Sequence, residues 1–276
     1  MSKRNTQEAK RAARERLKQE REQQAKREKL RRQLVVALSA VGVLAIAAAI
    51  GLAVANAGGG GDETDWEAVS AQLEEDGDDA DYPVPAHASG EGGLTVLIGD
   101  ENAENTFTLY EDPRCPSCAG FEQNVGPAVH EGIDNGEFNV EFVFGTFLDN
   151  GPNGGTGSKN AVSALGAALD VSPEAFLGFK DALYSEDFHP GGGRDDFGDD
   201  DRILEIASTV DELDGNQQFE DAVRDSTFAA WALKMSEKFD ADPDVSGTPS
   251  VKLNGEMLDT PQDAAGFRAL FEANRK

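Results

Sequence analysis

Leu109-Tyr110-Glu111-Asp112-Pro113-Arg114-Cys115-Pro116-Ser117-Cys118 holds both cysteines of a 276-residue chain, and what surrounds them decides the fold. Thr106 to Tyr110 alternates polar and apolar side chains as a half-buried strand does, and Pro116 to about Glu131 reads as a helix that Pro127 can kink. Cys115 thus falls where a strand runs into a helix N-terminus. Unpaired backbone N–H groups and the helix dipole favour a thiolate there, and Pro116 forfeits only an N–H that has no helical partner. A lowered pKa makes Cys115 the attacking sulfur and a good leaving group. Cys118, one turn further in, can reach back to resolve a mixed disulfide, and the pair can close as a small, reducible Cys115–Cys118 ring.

Other uses of the cysteines fit less well. A purely structural disulfide across so short a loop removes little unfolded-state entropy. Zinc takes about four ligands, and beyond the two cysteines the chain offers only His87, His130 and His189, far apart in sequence, so no metal and no other cofactor is expected. His130 reads as a helix-surface residue and His189 as a loop residue. There is no Gly-x-Ser-x-Gly elbow for a serine nucleophile. The acidic Asp195 to Asp201 run lacks calcium-loop spacing and reads as solvated.

Around this centre the pattern is mixed α/β. Leu94 to Ile98 reads as a strand before the one at 106–110, and Phe138, Val140, Phe142 and Phe144 alternate along a third. From Ser158 to about residue 240 the period turns helical: Ala161, Leu165 and Ala168; Phe176, Phe179 and Leu183; Ile203, Ile206, Val210 and Leu213; then one long helical stretch from Asn216 to Phe239. Ser172-Pro173-Glu174 supplies an N-cap, a first-turn proline and a first-turn acid. Strands return at Ser250 to Leu253 and Glu256 to Leu258 around an Asn254-Gly255 hairpin turn, and Thr260-Pro261 opens a last helix. The order is β-β-α-β, a helical block, then β-β-α, in a folded domain spanning 88–276.

The N-terminal third is organised by charge. Residues 1–33 carry thirteen Lys/Arg against five Asp/Glu, whereas the rest carries twelve against forty-seven, within an overall net charge of −27. Residues 34–56 are uncharged, and Leu34 to Ala55 as a helix would span about 33 Å against a hydrocarbon core of roughly 30 Å. The positive-inside bias then makes 1–33 a basic cytoplasmic tail and places the remainder outside the cell membrane, a single-pass, N-in signal anchor. Cleavage after the small-x-small run Ala55-Asn56-Ala57 is the competing reading. Residues 57–87, with ten carboxylates between Asp62 and Tyr82, read as a flexible, acidic linker in which Trp66, Val69 and Leu73 hint at a short amphipathic turn. So acidic an exterior repels phosphates, and no nucleic-acid partner is expected.

With these pieces assembled, the chain resembles the DsbA-like thiol–disulfide oxidoreductases of the thioredoxin superfamily, in a membrane-anchored bacterial form. The resemblance rests on Leu109 to Arg114 running into Cys115-Pro116-Ser117-Cys118, on Phe121 soon after, and on Val245-Ser246-Gly247-Thr248-Pro249 leading into the late strand. It implies a thioredoxin-like fold with an inserted helical domain at about 158–240, and a cis bond between Thr248 and Pro249 set against the redox pair. It also implies that the backbone of Thr248 and the ring of Pro249 hold the substrate segment, that Arg114 favours the thiolate, and that Glu111 or Asp112 opposes it unless acting as the proton acceptor for Cys118. An Arg114 ion pair with one of those acids is equally open. The implied partners are cysteine-containing exported proteins and a membrane redox partner that re-oxidises or reduces the pair. Disulfide formation is the first expectation; a reductase or isomerase, for instance in cytochrome maturation, or a redox-inert thioredoxin-like binding module are the alternatives. Pro-Ser between the cysteines, where the best-known oxidising members carry Pro-His, leaves the direction open.

Overall fold

The computed structural model describes residues 64–77, 80–152, 154–191 and 194–276. The basic tail at 1–33 and the apolar segment at 34–56 lie outside the described residues. Among the described residues no helix is long and apolar enough to cross a membrane.

The elements follow the order read from the sequence, with one addition at the front. Helix α1 (Trp66–Asp76) precedes strands β1 (Val96–Ile98) and β2 (Thr106–Glu111), then come helix α2 (Pro116–Asp134) and strand β3 (Asn139–Phe144). The helical block is α3 (Gly157–Val171), α4 (Pro173–Tyr184), α5 (Asp200–Ala207), α6 (Gln217–Arg224) and α7 (Ala229–Asp240). Strands β4 (Ser250–Leu253) and β5 (Glu256–Leu258) and helix α8 (Ala264–Asn274) close the chain. The sheet order is β1-β3-β2-β4-β5, with β2 parallel to β3 and the other pairs antiparallel. This is a thioredoxin-like α/β fold, with the helical block between β3 and β4.

Register fixes what lies beneath the Cys115–Cys118 motif. Phe107, Leu109 and Glu111 pair with Val140, Phe142 and Phe144, so all six share one face of the sheet. Phe107 meets Phe267 and Phe271 of α8 at 5.0 and 5.9 Å between ring centroids, and Phe142 meets Phe176 of α4 at 5.5 Å. On the opposite face Tyr110 packs against Phe239 of α7. The period of two that buries Phe107 and Leu109 therefore also drives the carboxyl of Glu111 into the interior.

Local chemistry explains most boundaries. Ser172 caps α4 by accepting from the Ala175 N–H at 2.9 Å, and Asn254 and Gly255 take φ of 54° and 86° in the β4–β5 turn, where glycine and asparagine tolerate left-handed backbone. Two boundaries differ from the sequence expectation. The stretch read as one helix from Asn216 to Phe239 breaks at Asp225–Phe228, where Ser226 has a φ of 52°. The last helix begins at Ala264, not at Thr260-Pro261, because Asp263 caps it through the Gly266 N–H at 2.7 Å.

The larger correction concerns residues 57–87, expected as a flexible linker. From Thr64 onward the described part is built into the domain. Asp65 caps α1 through the Ala68 N–H, and Trp66, Val69 and Leu73 are buried in the main core, where α1 packs on α7. Their i, i+3, i+7 spacing puts them on one stripe, and each contributes about 1.5–3 kcal/mol of apolar burial. That stripe outweighs the surrounding acids, which stay exposed on the other side of the helix.

Candidate active site

Cys115 is the N-cap residue of α2, in extended backbone, with Pro116 as the first helical residue. Both cysteines are free thiols, the reduced counterpart of the expected disulfide. Cys115 keeps 8 % of its surface exposed and Cys118 none, while Pro116 and Ser117 face solvent. The two sulfurs are unequal acids for reasons visible around them. A hydrogen bond from Cys118 leads in lowering the Cys115 pKa to about 5; burial opposes it, and the Thr248 side chain and the Cys118 and Ser117 N–H groups add to it. Burial pushes the Cys118 thiol far up, aided by its bond to Cys115 and by the charge of Glu111.

The peptide bond between Thr248 and Pro249 is cis, and it lies against Cys115. The Cys115 thiol points at the Thr248 carbonyl oxygen, 3.6 Å away. The Thr248 hydroxyl is buried without another partner and is free to donate to the thiolate once the thiol proton has gone. Beside them Ser117, Phe121, Asn124, Pro249 and Pro261 line a groove of about 400 Å³. Its walls come from α2 and from the loops flanking β4 and β5.

Asp112 and Arg114 have other duties than those expected. Asp112 is buried and accepts from the Arg114 and Leu148 N–H groups and from the Ser158 hydroxyl at 2.7 Å. Burial raises its pKa to about 6 against those bonds. Arg114, 1 % exposed, pairs with Asp149 at 2.8 Å and Asp195 at 3.1 Å, and donates to the Gly154 and Arg194 carbonyls. Among the described residues it forms neither the thiolate contact nor the Glu111 or Asp112 ion pair read from sequence. Asp149 and Asp195 also accept from the Gly157, Ser158 and Lys159 N–H groups at the start of α3. The acidic 195–201 run is therefore not merely solvated: Asp195 caps α3, and Asp200 is buried, bonded to the Asn160 amide.

Glu111 stands apart. It is fully buried, neither carboxyl oxygen has a hydrogen-bond partner, and burial followed by the charge of Glu122 raises its pKa well above the usual carboxylate range. Among the described residues no group of three or more His, Cys, Asp or Glu is arranged to hold a metal.

The thioredoxin family model matches residues 92–273. Reduced DsbA from Mycobacterium tuberculosis superposes with a TM-score of 0.54 at 26% identity, over 64% of this chain and 91% of that one. The chain belongs to the DsbA-like thiol–disulfide oxidoreductases of the thioredoxin family. MdbA, a thiol-disulfide oxidoreductase from Actinomyces oris, shares the fold with a TM-score of 0.58 at 20% identity, over 69% of this chain and 92% of that one. The serine/threonine-protein kinase PknE of Mycobacterium tuberculosis is 26% identical over 116 residues, 42% of this chain. The chain spans about 20% of the length of these curated kinases.

Within this DsbA-like frame, sequence reasoning missed four residues. Tyr184, at the end of α4, joins Cys115, Cys118 and Ala119 in one buried cluster, its hydroxyl without a partner. His189 stacks on Tyr184 at 6.1 Å; burial lowers its pKa, against a bond to the Pro113 backbone. Glu122 and Lys180 form a buried pair at 2.6 Å close to Glu111. The signal available for the pair was a charged side chain in phase with an apolar stripe on each helix: Glu122 with Val125 and Val129, Lys180 with Phe176 and Leu183.

Proposed function

We propose that this protein oxidises cysteine pairs in exported proteins, with Cys115 as the sulfur exchanged with substrate and Cys118 as the resolving one. The observation that carries the direction is the Cys115 pKa of about 5. A thiolate stabilised that strongly favours the reduced protein over its disulfide, and a disulfide whose reduced form is favoured is an oxidant. An incoming substrate strand would pair with the backbone at Thr248 and lie along the groove past Pro249. Glu111, buried beside the redox pair, is the group to exchange a proton with Cys118.

Equilibration of the domain with glutathione tests the direction. The expected potential lies nearer the roughly −120 mV of a strong oxidant than the roughly −270 mV of thioredoxin. A value at the reducing end would sink the oxidase and favour the reductase or isomerase.

The further expectation is that residues 34–56 anchor the chain in the cell membrane with the catalytic domain outside, where exported substrates and a membrane-embedded redox partner meet it. The uncharged run and the thirteen cations before it support this. Release of the protein by alkaline carbonate, with no detergent present, would remove the anchor, and a released form that begins near Gly58 would favour cleavage after Ala57.

A further inference from the structure

We propose that Tyr110, Asp242 and Lys252 are positioning residues for substrate: the Asp242 carboxylate ties together the strand that leads to Cys115, the strand that follows Pro249 and the start of the loop between α7 and β4, and so holds Thr248 and Pro249 ready for an incoming polypeptide strand. The proposal rests on the oxidoreductase reading above and concerns how that same site grips its substrate.

Lys252 is a rare kind of residue for its place, since lysine is seldom buried. In β4 the alternation turns Val251 and Leu253 to the face shared with Leu109 and Phe107, and Lys252, paired with Thr108, to the face shared with Tyr110 and covered by α7. Only 7 % of Lys252 is exposed. Its ammonium lies 5.5 Å from the centre of the Tyr110 ring and reaches both oxygens of Asp242, at 2.7 and 2.8 Å, and Asp244 at 3.3 Å. Tyr110 donates its hydroxyl to the same carboxylate at 2.7 Å, and the Asp244 N–H closes a turn on it at 3.1 Å. Burial works against both charges, yet bonds from Lys252 and Tyr110 leave the Asp242 pKa lowered, and bonds to Asp242 and Asp244 leave the Lys252 pKa raised. The pair is ionised. An apolar side chain would pack this face with no charge to desolvate, so stability alone does not account for the ammonium.

What the ammonium holds is the loop from Asp242 to Pro249. The N–H groups of Ser246, Gly247 and Thr248 have no backbone partner among the described residues, so no ladder fixes the three residues before Pro249. Their course is set from the two ends. At the far end the Ser250 hydroxyl donates to the Gly247 carbonyl at 2.7 Å and the Thr260 hydroxyl to the Pro249 carbonyl at 3.1 Å. At the near end the Val245 N–H returns to the Asp242 carbonyl at 3.2 Å, so whatever fixes Asp242 fixes the loop's origin. The bond from Lys252 ties that origin to the strand that leaves the loop, and the bond from Tyr110 ties it to the strand that runs on to Cys115. The same carboxylate therefore governs how Thr248 stands against the sulfur, whose thiol meets the Thr248 carbonyl at 3.6 Å. A loop tied at both ends has already lost the freedom that a bound strand would otherwise remove, which raises affinity without altering the sulfur chemistry.

Single-turnover reduction of the oxidised full chain by a reduced two-cysteine peptide in excess tests this, because a rate that saturates with peptide separates binding from chemistry. The protein gains two thiols as the peptide closes its disulfide. Lys252→Met keeps a stem beside Tyr110 and removes the ammonium; the half-saturating concentration is expected to rise about tenfold and the maximal rate to change less than about twofold. Reduction by dithiothreitol, too small to use the loop, should keep its rate within about twofold. Tyr110→Phe deletes one bond to Asp242, spares the ring, and is expected to raise the half-saturating concentration about threefold; it carries the test if Lys252→Met does not fold. In the chain without peptide, the Asp244 and Val245 amides, which close on Asp242, should exchange with solvent severalfold faster in both variants. A pair that merely stabilises the fold would lower the active fraction, and with it the amplitudes, at unchanged half-saturation and unchanged exchange of those amides; that result would overturn the proposal. An unaltered chain that neither peptide nor dithiothreitol reduces would instead strike the redox reading, and the exchange rates would still decide whether Tyr110 and Lys252 hold the loop.

Discussion

Cys118→Ser is expected to convert the protein into a trap: substrate proteins accumulate on Cys115 as mixed disulfides that resolve only with added thiol, and turnover falls to background. Cys115→Ser is expected to trap nothing. The asymmetry follows from exposure and acidity together. Cys115 sits at the rim with 8 % of its surface exposed and a pKa of about 5, so at pH 7 it is almost wholly thiolate. Cys118 is sealed beneath it with its pKa raised by burial, and a thiol titrating above 9 is less than about one part in a hundred thiolate at pH 7. An attacking sulfur without a resolver yields stalled complexes; a resolver without an attacker never meets the substrate. Non-reducing electrophoresis of each variant after exposure to a reduced, unfolded protein reads the outcome directly. Complexes on Cys118 in the Cys115→Ser protein would reverse the roles.

The second large effect is on pH. Alkylation of the reduced protein by iodoacetamide is expected to rise with a midpoint near pH 5, several units below an ordinary cysteine, and to persist almost undiminished at pH 6. The same shift makes the stability of the reduced form depend on pH. The folded pKa is depressed below its unfolded value, so the stabilisation is complete above the unfolded pKa and is lost as pH falls through about 5. Between pH 4 and pH 7 the reduced protein should gain about 3 kcal/mol relative to the oxidised protein, which has no thiolate to titrate. Cys118 contributes nothing in this window because it stays protonated throughout. Asp112, titrating at about 6, is common to both redox states, so the comparison between them largely removes it. Urea unfolding of each form across this range checks the sign. A difference independent of pH would mean that Cys115 keeps an ordinary thiol pKa.

What the sequence disclosed, and what it hid, divides along distance in the chain. Strand alternation, the Ser172 cap and the Asn254-Gly255 turn are local, and each appears where the pattern placed it. The Cys115–Cys118 spacing was as readable, since strand, cap and helix are consecutive. The partners of Arg114 were not: Asp149 and Asp195 lie 35 and 81 positions away, the second in a run whose acidity looked like solvation. Thr248 reached the site only through a family resemblance, because nothing local in Gly247-Thr248-Pro249 says that it meets a sulfur 133 positions upstream. Helix α1 was read only as a short amphipathic turn in a flexible linker, for a different reason. Ten carboxylates between Asp62 and Tyr82 dominate that stretch, and three apolar residues on one stripe suffice only because α7 is there to receive them.

Arg114, which precedes Cys115, ties the loop after β2 to the helical block, and this bears on how such a protein can be re-engineered. Asp112 is held by Ser158 of α3, Arg114 by carboxylates that also start α3, Glu122 by Lys180 of α4, and the sulfurs themselves lie against Tyr184. A graft that exchanged residues 158–240 for the corresponding block of a relative would keep every residue of the Cys-Pro-Ser-Cys motif and still strand the Glu122 carboxylate in the interior without Lys180, at about 3–5 kcal/mol for the broken buried pair. The block is no detachable cassette for changing substrate range. Specificity in this scaffold is open to redesign at the rim, around Asn124 and Gln262 in the groove, and closed to it at the floor.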